Sequence, residues 1–600
     1  ASVLNNPRGP LYTKMVASGK SLAAQYTSLP AALGSIGVSY VVFPKGADAE
    51  ALVKQMRSIL GNIAEKGISP EQVAAAKRSL ITQDAAARDS IPGLAHRWTQ
   101  AVAVDHLQSP AAQLAAIKNV TAEDVNQLLA TLIQPDQSVL AILKPEGSGA
   151  PQTGGGYGGS ESFSPKNVGN VELPDWAAEP LATIITPEQT IEPVETTLDN
   201  GMKLITVASD AFHAMHVYGH IRNEPDLEAP KNKEGVSGLL SQLLDFGTTR
   251  HDRKAYQAAL DAIGAQASAG TGFSLTVLPE HFERGLGLLA ENELHPALPK
   301  SAFQRLQERA VAAQAGTIAS PDFKADQAMR KGILPENDPD LRFATPKSIA
   351  GLSYDDVTDY YKKVFRPDLS TIVVVGNISP DQVEKAVTDA FGGWKAKGDK
   401  PDVTLPEVPE NEASFHHVPD DAQSQDTVQL AESLGLSTHN TEYHALQMAN
   451  QVLTGGVFAS RLYRELRVER GLVYYISSGL VTSRTRTQLA FQYGSDPDKV
   501  DEADKLIRQA LVQLAKVPIS DDELHRARAG LIRQVPLNEA GADSIGYGLL
   551  SRVELDLPLN EPYRAARAYK SIDAKQIQAA VKKWFRPDDL VRVIQGPKPK

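Results

Sequence analysis

Histidine and carboxylate carry any metal or acid-base chemistry in this sequence, because it contains 13 histidines and no cysteine. Thiol nucleophiles, disulfides and thiolate zinc sites are excluded together. The densest histidine group is His213-Ala-Met-His216-Val-Tyr-Gly-His220. On a strand, His216, Tyr218 and His220 share one face. No carboxylate of motif spacing accompanies them, so the group reads better as a sheet strand than as a metal site. His416 and His417 are adjacent, and on a strand they point to opposite faces. Asp420-Asp421 reads as a turn, and Asp521-Asp522-Glu523 as helix N-terminal carboxylates favoured by the helix dipole. No Gly-x-Ser-x-Gly elbow is present for a serine hydrolase.

Residues Gly235 to Thr248 predict a helix with Val236, Leu239, Leu240, Leu243 and Leu244 on one buried stripe. Gly238, Ser241, Gln242 and Asp245 fall on the opposite face. Helical spacing also covers Asp48–Lys66 and Pro497–Val517, where Leu506, Ile507, Ala510, Leu511 and Leu514 form a stripe. Alternating or apolar runs such as Leu489–Tyr493 and Thr371–Val375 predict strands. Strands mixed with long helices predict α+β domains, each a mostly antiparallel sheet covered by helices.

Internal repetition organises the chain. Ile68-Ser-Pro-Glu-Gln-Val matches Ile519-Ser-Asp-Asp-Glu-Leu, 451 positions apart, and Leu11-Tyr12 matches Leu462-Tyr463 at the same offset. Pro135-Asp136 matches Pro587-Asp588 at an offset of 452. Phe365-Arg-Pro-Asp368 and Phe585-Arg-Pro-Asp588 each precede an apolar strand. The expected domains are 1–147, truncated at its start; 148–192, a Gly-rich linker and connector; 193–400; and 401–600. The glycines of 147–160 lack the Lys-Ser/Thr that a phosphate loop needs.

The pattern Asn200-Gly-Met-Lys-Leu204, Glu224-Pro225, the helix from Gly235, Gly247-Thr248 and Leu260-Asp-Ala-Ile-Gly264 resembles the zinc domain of pitrilysin/insulysin-type metallopeptidases, the inverzincins. In an H-x-x-E-H helix two histidines bind zinc and the glutamate acts as general base. The resemblance puts Gly238 and Gln242 at the histidine positions, Ser241 at the base and Gln314 at the distal glutamate. It therefore implies a degenerate, metal-free copy over 193–400. The block from Gly455 to Tyr475 resembles the family's C-terminal domain. There an Arg and a Tyr seven residues later contact the substrate carbonyl across a chamber and stabilise its oxyanion. Those positions are Arg467 and Tyr474, and subtracting 451 gives Val16 and Ala23 in the first copy.

The resemblance implies half of a clamshell plus one extra domain. It also implies that the chain is the non-zinc-binding C-terminal part of a zinc-dependent endopeptidase acting on peptides or unfolded segments. The chain alone is expected to be inactive and to hold no cofactor, with zinc in a missing N-terminal domain or partner chain. Peptide capture is expected to use strand addition at a sheet edge. Exported bacterial members make the periplasm the expected location. The alternative is an inactive partner or scaffold subunit of a peptidase-like complex. The opening Ala1–Pro10 reads like the middle of a domain, in keeping with a chain that starts partway through one.

Composition agrees with a soluble globular chain. A net charge of −11, from 61 basic and 72 acidic residues, argues against nucleic acid. A hydrophobic fraction of 42% excludes global disorder, and no apolar run approaches the roughly 20 residues that span a bilayer.

Overall fold

The computed structural model describes residues 1–143 and 174–597, apart from 32–33, 45, 135–136 and 457. Most of the expected linker, 148–173, lies outside the described residues. The strands are β1 (Ala23–Ala31), β2 (Gly34–Val42), β3 (Val194–Thr197), β4 (Lys203–Ala208), β5 (Met215–Ile221), β6 (Gln266–Ser268), β7 (Gly272–Val277), β8 (Ser370–Gly376), β9 (Phe415–Pro419), β10 (Asp426–Ser433), β11 (Val473–Thr482), β12 (Thr487–Ser495) and β13 (Val591–Gly596).

Among the described residues two of the three sheets share a topology. One runs β3-β4-β8-β5-β7-β6 and the other β11-β12-β10-β13-β9. Leaving out β3, each places its last strand between its first and second and pairs it in parallel with the first, β8 with β4 and β13 with β9. The remaining pairs are antiparallel. Several helices cover one face of each of these two sheets, and a single helix packs on the other, Ala542–Glu554 on the first and Pro321–Ile333 on the second. The helix Val236–Leu244 buries Val236, Leu239, Leu240, Leu243 and Leu244 in the core of the middle region. Its N-cap is Gly235 at φ 100, where a Cβ would also meet Ile349 at 2.7 Å, so glycine is required there.

The third sheet is the hairpin β1-β2, and its surroundings repeat those of β11-β12. Helices Ala49–Lys66, Pro70–Arg88, Ile91–Thr99, Pro110–Asn119 and Ala122–Leu132 recur as Val500–Lys516, Asp521–Leu537, Ala542–Glu554, Glu561–Ser571 and Ala574–Trp584. The local chemistry recurs as well. Ser69 with Gln72 and Ser520 with Glu523 close equivalent capping boxes. A π-helical turn, Tyr12–Val16 or Tyr463–Glu469, precedes each hairpin. The backbone bonds Ser21 N to Met15 O and Leu472 N to Leu466 O are equivalent, so Val16 and Ala23 do occupy the places of Arg467 and Tyr474.

The two copies touch at equivalent points. Ser90 bridges Gly541, Ile91 N donates to Ala540 O, and Ala542 N donates to Asp89 O. Each contact reads the same from either copy, the signature of a two-fold-like interface within one chain.

Both outer hairpin strands are sealed at mid-length by a side chain. Asn5 accepts from Tyr26 N and donates to Tyr26 O, both at 2.8 Å. In the second copy Ser478 N donates to Thr454 Oγ1 at 3.1 Å, and Asn450 Nδ2 donates to Ser478 O at 3.3 Å. These bonds occupy groups that an edge strand otherwise offers to another chain. Among the described residues no helix is long and apolar enough to cross a membrane.

Candidate functional site

Arg467 and Tyr474 meet at the start of β11. Arg467 sits in the π-helical turn and Tyr474 just beyond it. The ladder between β11 and β12 shifts between Val473 and Tyr475, so Tyr474 is the extra residue of a β-bulge. A bulge re-aims a side chain without interrupting the sheet. Its ring centroid lies 5.8 Å from the Arg467 guanidinium, whose Nη1 also donates to Val473 O at 3.4 Å. The ring is exposed. A fixed cation beside a phenolic donor is suited to stabilising negative charge that develops on a carbonyl oxygen.

Two further residues complete this group. Tyr474 donates its hydroxyl to Asp496 Oδ1 at 2.8 Å, and Asp496 Oδ2 accepts from Lys499 Nζ at 2.9 Å. The bond to Asp496 raises the Tyr474 pKa and so keeps the phenol protonated, a donor. Burial would raise the Asp496 carboxyl, but the bonds from Lys499 and Tyr474 bring it below its usual value. Only the family spacing pointed to Arg467 and Tyr474. Asp496, 22 residues on, carries no sequence signal, because the bulge alone makes the contact possible.

The degenerate zinc positions come together elsewhere. Gly238, Gln242 and Gln314 line one cavity of about 400 Å³ between helices Val236–Leu244 and Lys300–Ala319. Ser241 is exposed and does not line it. A Cβ at Gly238 would meet nothing within 4 Å, so the space beside it is open. Gln314 Nε2 donates to Ala344 O at 2.7 Å, and Gln242 Nε2 to Gly238 O at 3.3 Å. Glycine offers no ligand and neutral amides are poor zinc donors, so these residues do not fit zinc.

Acidic groups gather beside the same cavity. Glu224, Asp226 and Asp340 bring carboxylate oxygens within 4.8 Å of one another, and Asp226 lines the cavity. Burial, then the charge of Asp340, pushes Asp226 up to about 6, and burial takes Glu224 to about 7. Glu234 on the cavity wall is paired with Arg342 at 2.8 Å.

The histidine group behaves as structure. His216 Nε2 lies 2.9 Å from Asp89 Oδ2, and His213 Nδ1 lies 3.0 Å from Asp89 Oδ1. The amides of His213 and Ala214 donate to the same carboxylate at 2.7 and 3.0 Å. Burial would raise Asp89, but the bonds from His216, the two amides and His213 together hold it below its usual value. The carboxylate thus arrives from 127 residues away, a contact that motif spacing could not show. His220 lies 3.5 Å from Glu554, and His416 and His417 stand in β9. Glu523 accepts from Ser520 and pairs with Arg461, which holds it down at about 2.

Residues 351–531 match the family described as the Peptidase M16 inactive domain. A Bacillus subtilis protein named uncharacterized zinc protease YmxG is 24% identical over 343 residues, covering 55% of this chain and 81% of its own length. A Helicobacter pylori protein named non-peptidase homolog YmxG is 22% identical over 387 residues, covering 62% of this chain and 86% of its own. Among solved structures, a peptidase M16 inactive domain from Pseudomonas fluorescens superposes at a TM-score of 0.60 with 22% identity, over 68% of this chain and 98% of that one. The periplasmic protease PqqL of Escherichia coli superposes at 0.58 with 15% identity, over 98% of this chain and 68% of its own. Residues 351–531 therefore match the inactive domain of M16 peptidases, and the chain is similar to proteins of that family in sequence and fold.

Proposed function

We propose that this chain is the non-zinc-binding C-terminal part of a zinc-dependent endopeptidase that encloses peptides or unfolded segments in a chamber. Zinc and the general base would come from an N-terminal catalytic domain or a partner chain. Arg467 and Tyr474 would contact the substrate carbonyl. The observation that carries the reading is the bulge, which sets an exposed phenol beside a guanidinium in one copy, while the other copy holds Val16 and Ala23 there. A pure scaffold has no use for that difference. PqqL, of similar fold, is a periplasmic protease, and the same compartment is proposed here.

Unfilled surface on the first copy supports the need for a companion. Ile36 is 68% exposed and Tyr40 43%, while their counterparts Leu489 and Tyr493 are both 0% exposed. Val139 is 100% exposed and its counterpart Val591 0%. In the second copy β10 continues the sheet beside these residues, pairing Val428 with Tyr493, Glu432 with Leu489 and Ala431 with Val591, while core helices bury Leu489 and Tyr493 and the helix Pro321–Ile333 packs on Val591. The first copy has no such strand among the described residues. Exposed apolar surface of this kind marks a contact site.

The second reading is an inactive partner subunit. It is favoured by the bond that already commits the Tyr474 proton to Asp496. Relatives named non-peptidase homolog and probable inactive metalloprotease fit it as well. The separating experiment is to assay the full chain together with a companion bearing an H-x-x-E-H helix. Arg467→Ala should lower kcat about 100-fold or more with little change in KM, the size expected for an oxyanion contact. An unchanged kcat would establish the partner reading.

A further inference from the structure

The face of the C-terminal sheet turned away from its core helices carries a groove of about 240 Å³. Met329, from the helix Pro321–Ile333, forms part of its wall. The floor is built from rows that cross three strands. Ser477 stands opposite Gln492, and Gln492 opposite Gln429. The next row is Gly479, Ala490 and Ala431, and Gln488 follows. No lining residue is charged. The side chains of Ser477, Gln429, Gln488 and Gln492 form no hydrogen bond with the described residues.

That combination selects a ligand class. Each glutamine amide offers a donor and an acceptor, matching the two groups of a peptide bond. Gln429 and Gln488 are half-buried and bond no described side chain or backbone, so their amides face the groove free to meet a ligand in place of water. The small row leaves room for a backbone to come close. An ionic ligand would find no counter-charge, and an apolar one would strand the amides. The groove also leads somewhere. One pair along from Ser477, Tyr475 lies over Gly494, where a Cβ would meet its ring at 2.6 Å. Next come Tyr474 and Arg467, about 10 Å from Ser477 at the strand rise of roughly 3.3 Å per residue. The seal of Ser478 by Thr454 and Asn450 closes the middle of the β11 edge, so the face is the open approach.

We propose that this groove binds an extended, uncharged polypeptide segment through its backbone amides and feeds it toward Arg467 and Tyr474. The assignment rests on the peptidase reading, but it is tested without catalysis. The full chain is titrated against a short fluorescein-labelled peptide of alternating Ala, Ser and Gln, read by anisotropy, with Lys-rich and Glu-rich peptides of equal length beside it. The neutral peptide should bind best. Gly479→Trp should weaken it at least about tenfold at an unchanged thermal midpoint, since a Cβ there meets nothing within 4 Å and the ring can extend into the groove. Gln492→Ala and Gln429→Ala should each cost about fivefold, the worth of one net hydrogen bond. Equal affinity in Gly479→Trp, or binding of the charged peptides alone, would overturn the assignment. So would a self-association that Gly479→Trp abolishes, because the groove would then seat a second copy of the chain. Intact peptide binding with an Arg467→Ala enzyme of normal kcat would defeat the peptidase reading and spare the groove. The reverse pattern would do the opposite.

Discussion

The two copies of one domain fold within this chain differ in what fills them. The C-terminal copy sandwiches β10 between β12 and β13 and carries Arg467 and Tyr474 at its bulge. The N-terminal copy keeps the helices and the hairpin, but its corresponding apolar positions face solvent and its polar pair is gone. The difference teaches that helices alone can hold the hairpin in place. Leu52, Met56, Ile59, Leu60 and Ile63 of one helix bury a stripe that, with Leu11 and Met15, suffices for a local core. Side chains on the second face then report only on what covers them.

The sharpest way to break this comparison is a matched pair of truncations. Tyr493→Ala should cost about 3–5 kcal/mol of stability, the range for deleting a buried aromatic. Tyr40→Ala should stay within about 0.5 kcal/mol. Denaturant unfolding of both variants reads the contrast, and equal costs would mean that the first copy is covered too. A cost that Tyr40→Ala acquires only with a companion chain would identify the covering surface.

A slightly smaller effect is expected at the joint between the copies. Asp89→Ala strips four hydrogen-bond partners of their acceptor and should cost about 3 kcal/mol. Its counterpart is Ala540, so the truncation imposes on one copy what the other already has. An unchanged thermal midpoint would show that the contact holds nothing.

The filled copy also has its own pH signature. Burial pushes Glu432 up to about 7, with Arg586 offsetting part of the effect. Its folded pKa thus exceeds the unfolded value of about 4.3, so the folded state binds the extra proton. Stability should fall as pH rises from about 4.5 to 7, by about 1–3 kcal/mol from this group. Glu432→Gln should flatten that slope, and an unchanged slope would assign it to Glu224 and Asp226 instead. The smallest effect is expected from metal removal. Chelation should leave the thermal midpoint where it was, and one tightly held zinc per chain by metal analysis would contradict the ligand-poor cavity at Gly238.

Much of the fold was legible because it is local or repeated. The stripe of Val236 to Leu244 lies within one segment, the match of Ile68 with Ile519 compares two alike, and both correspond to observed elements. Arg467 and Tyr474 were legible through their surroundings, not through their own types. Asp496 was not, since the bulge depends on how two strands register rather than on either strand's composition. Asp89 was invisible for a related reason. Its histidine partners lie in β5 and in the turn before it, far along the chain, and a short acidic side chain at the end of a helix reads like any other. The amide-lined groove was hidden because period-2 alternation gives the faces of one strand, whereas the rows that form the groove cross three.

The sealed hairpin strands bear on how the chain is made. Asn5 precedes β1, and Asn450 and Thr454 precede β11, so each seal leaves the ribosome before the edge it will cover. Synthesis proceeds at roughly 5–20 residues per second, and a naked edge in a half-made chain is where nascent copies stick together. With the stopper already present, each edge can close as soon as it emerges, and the exposure lasts seconds rather than the time needed to finish the polypeptide.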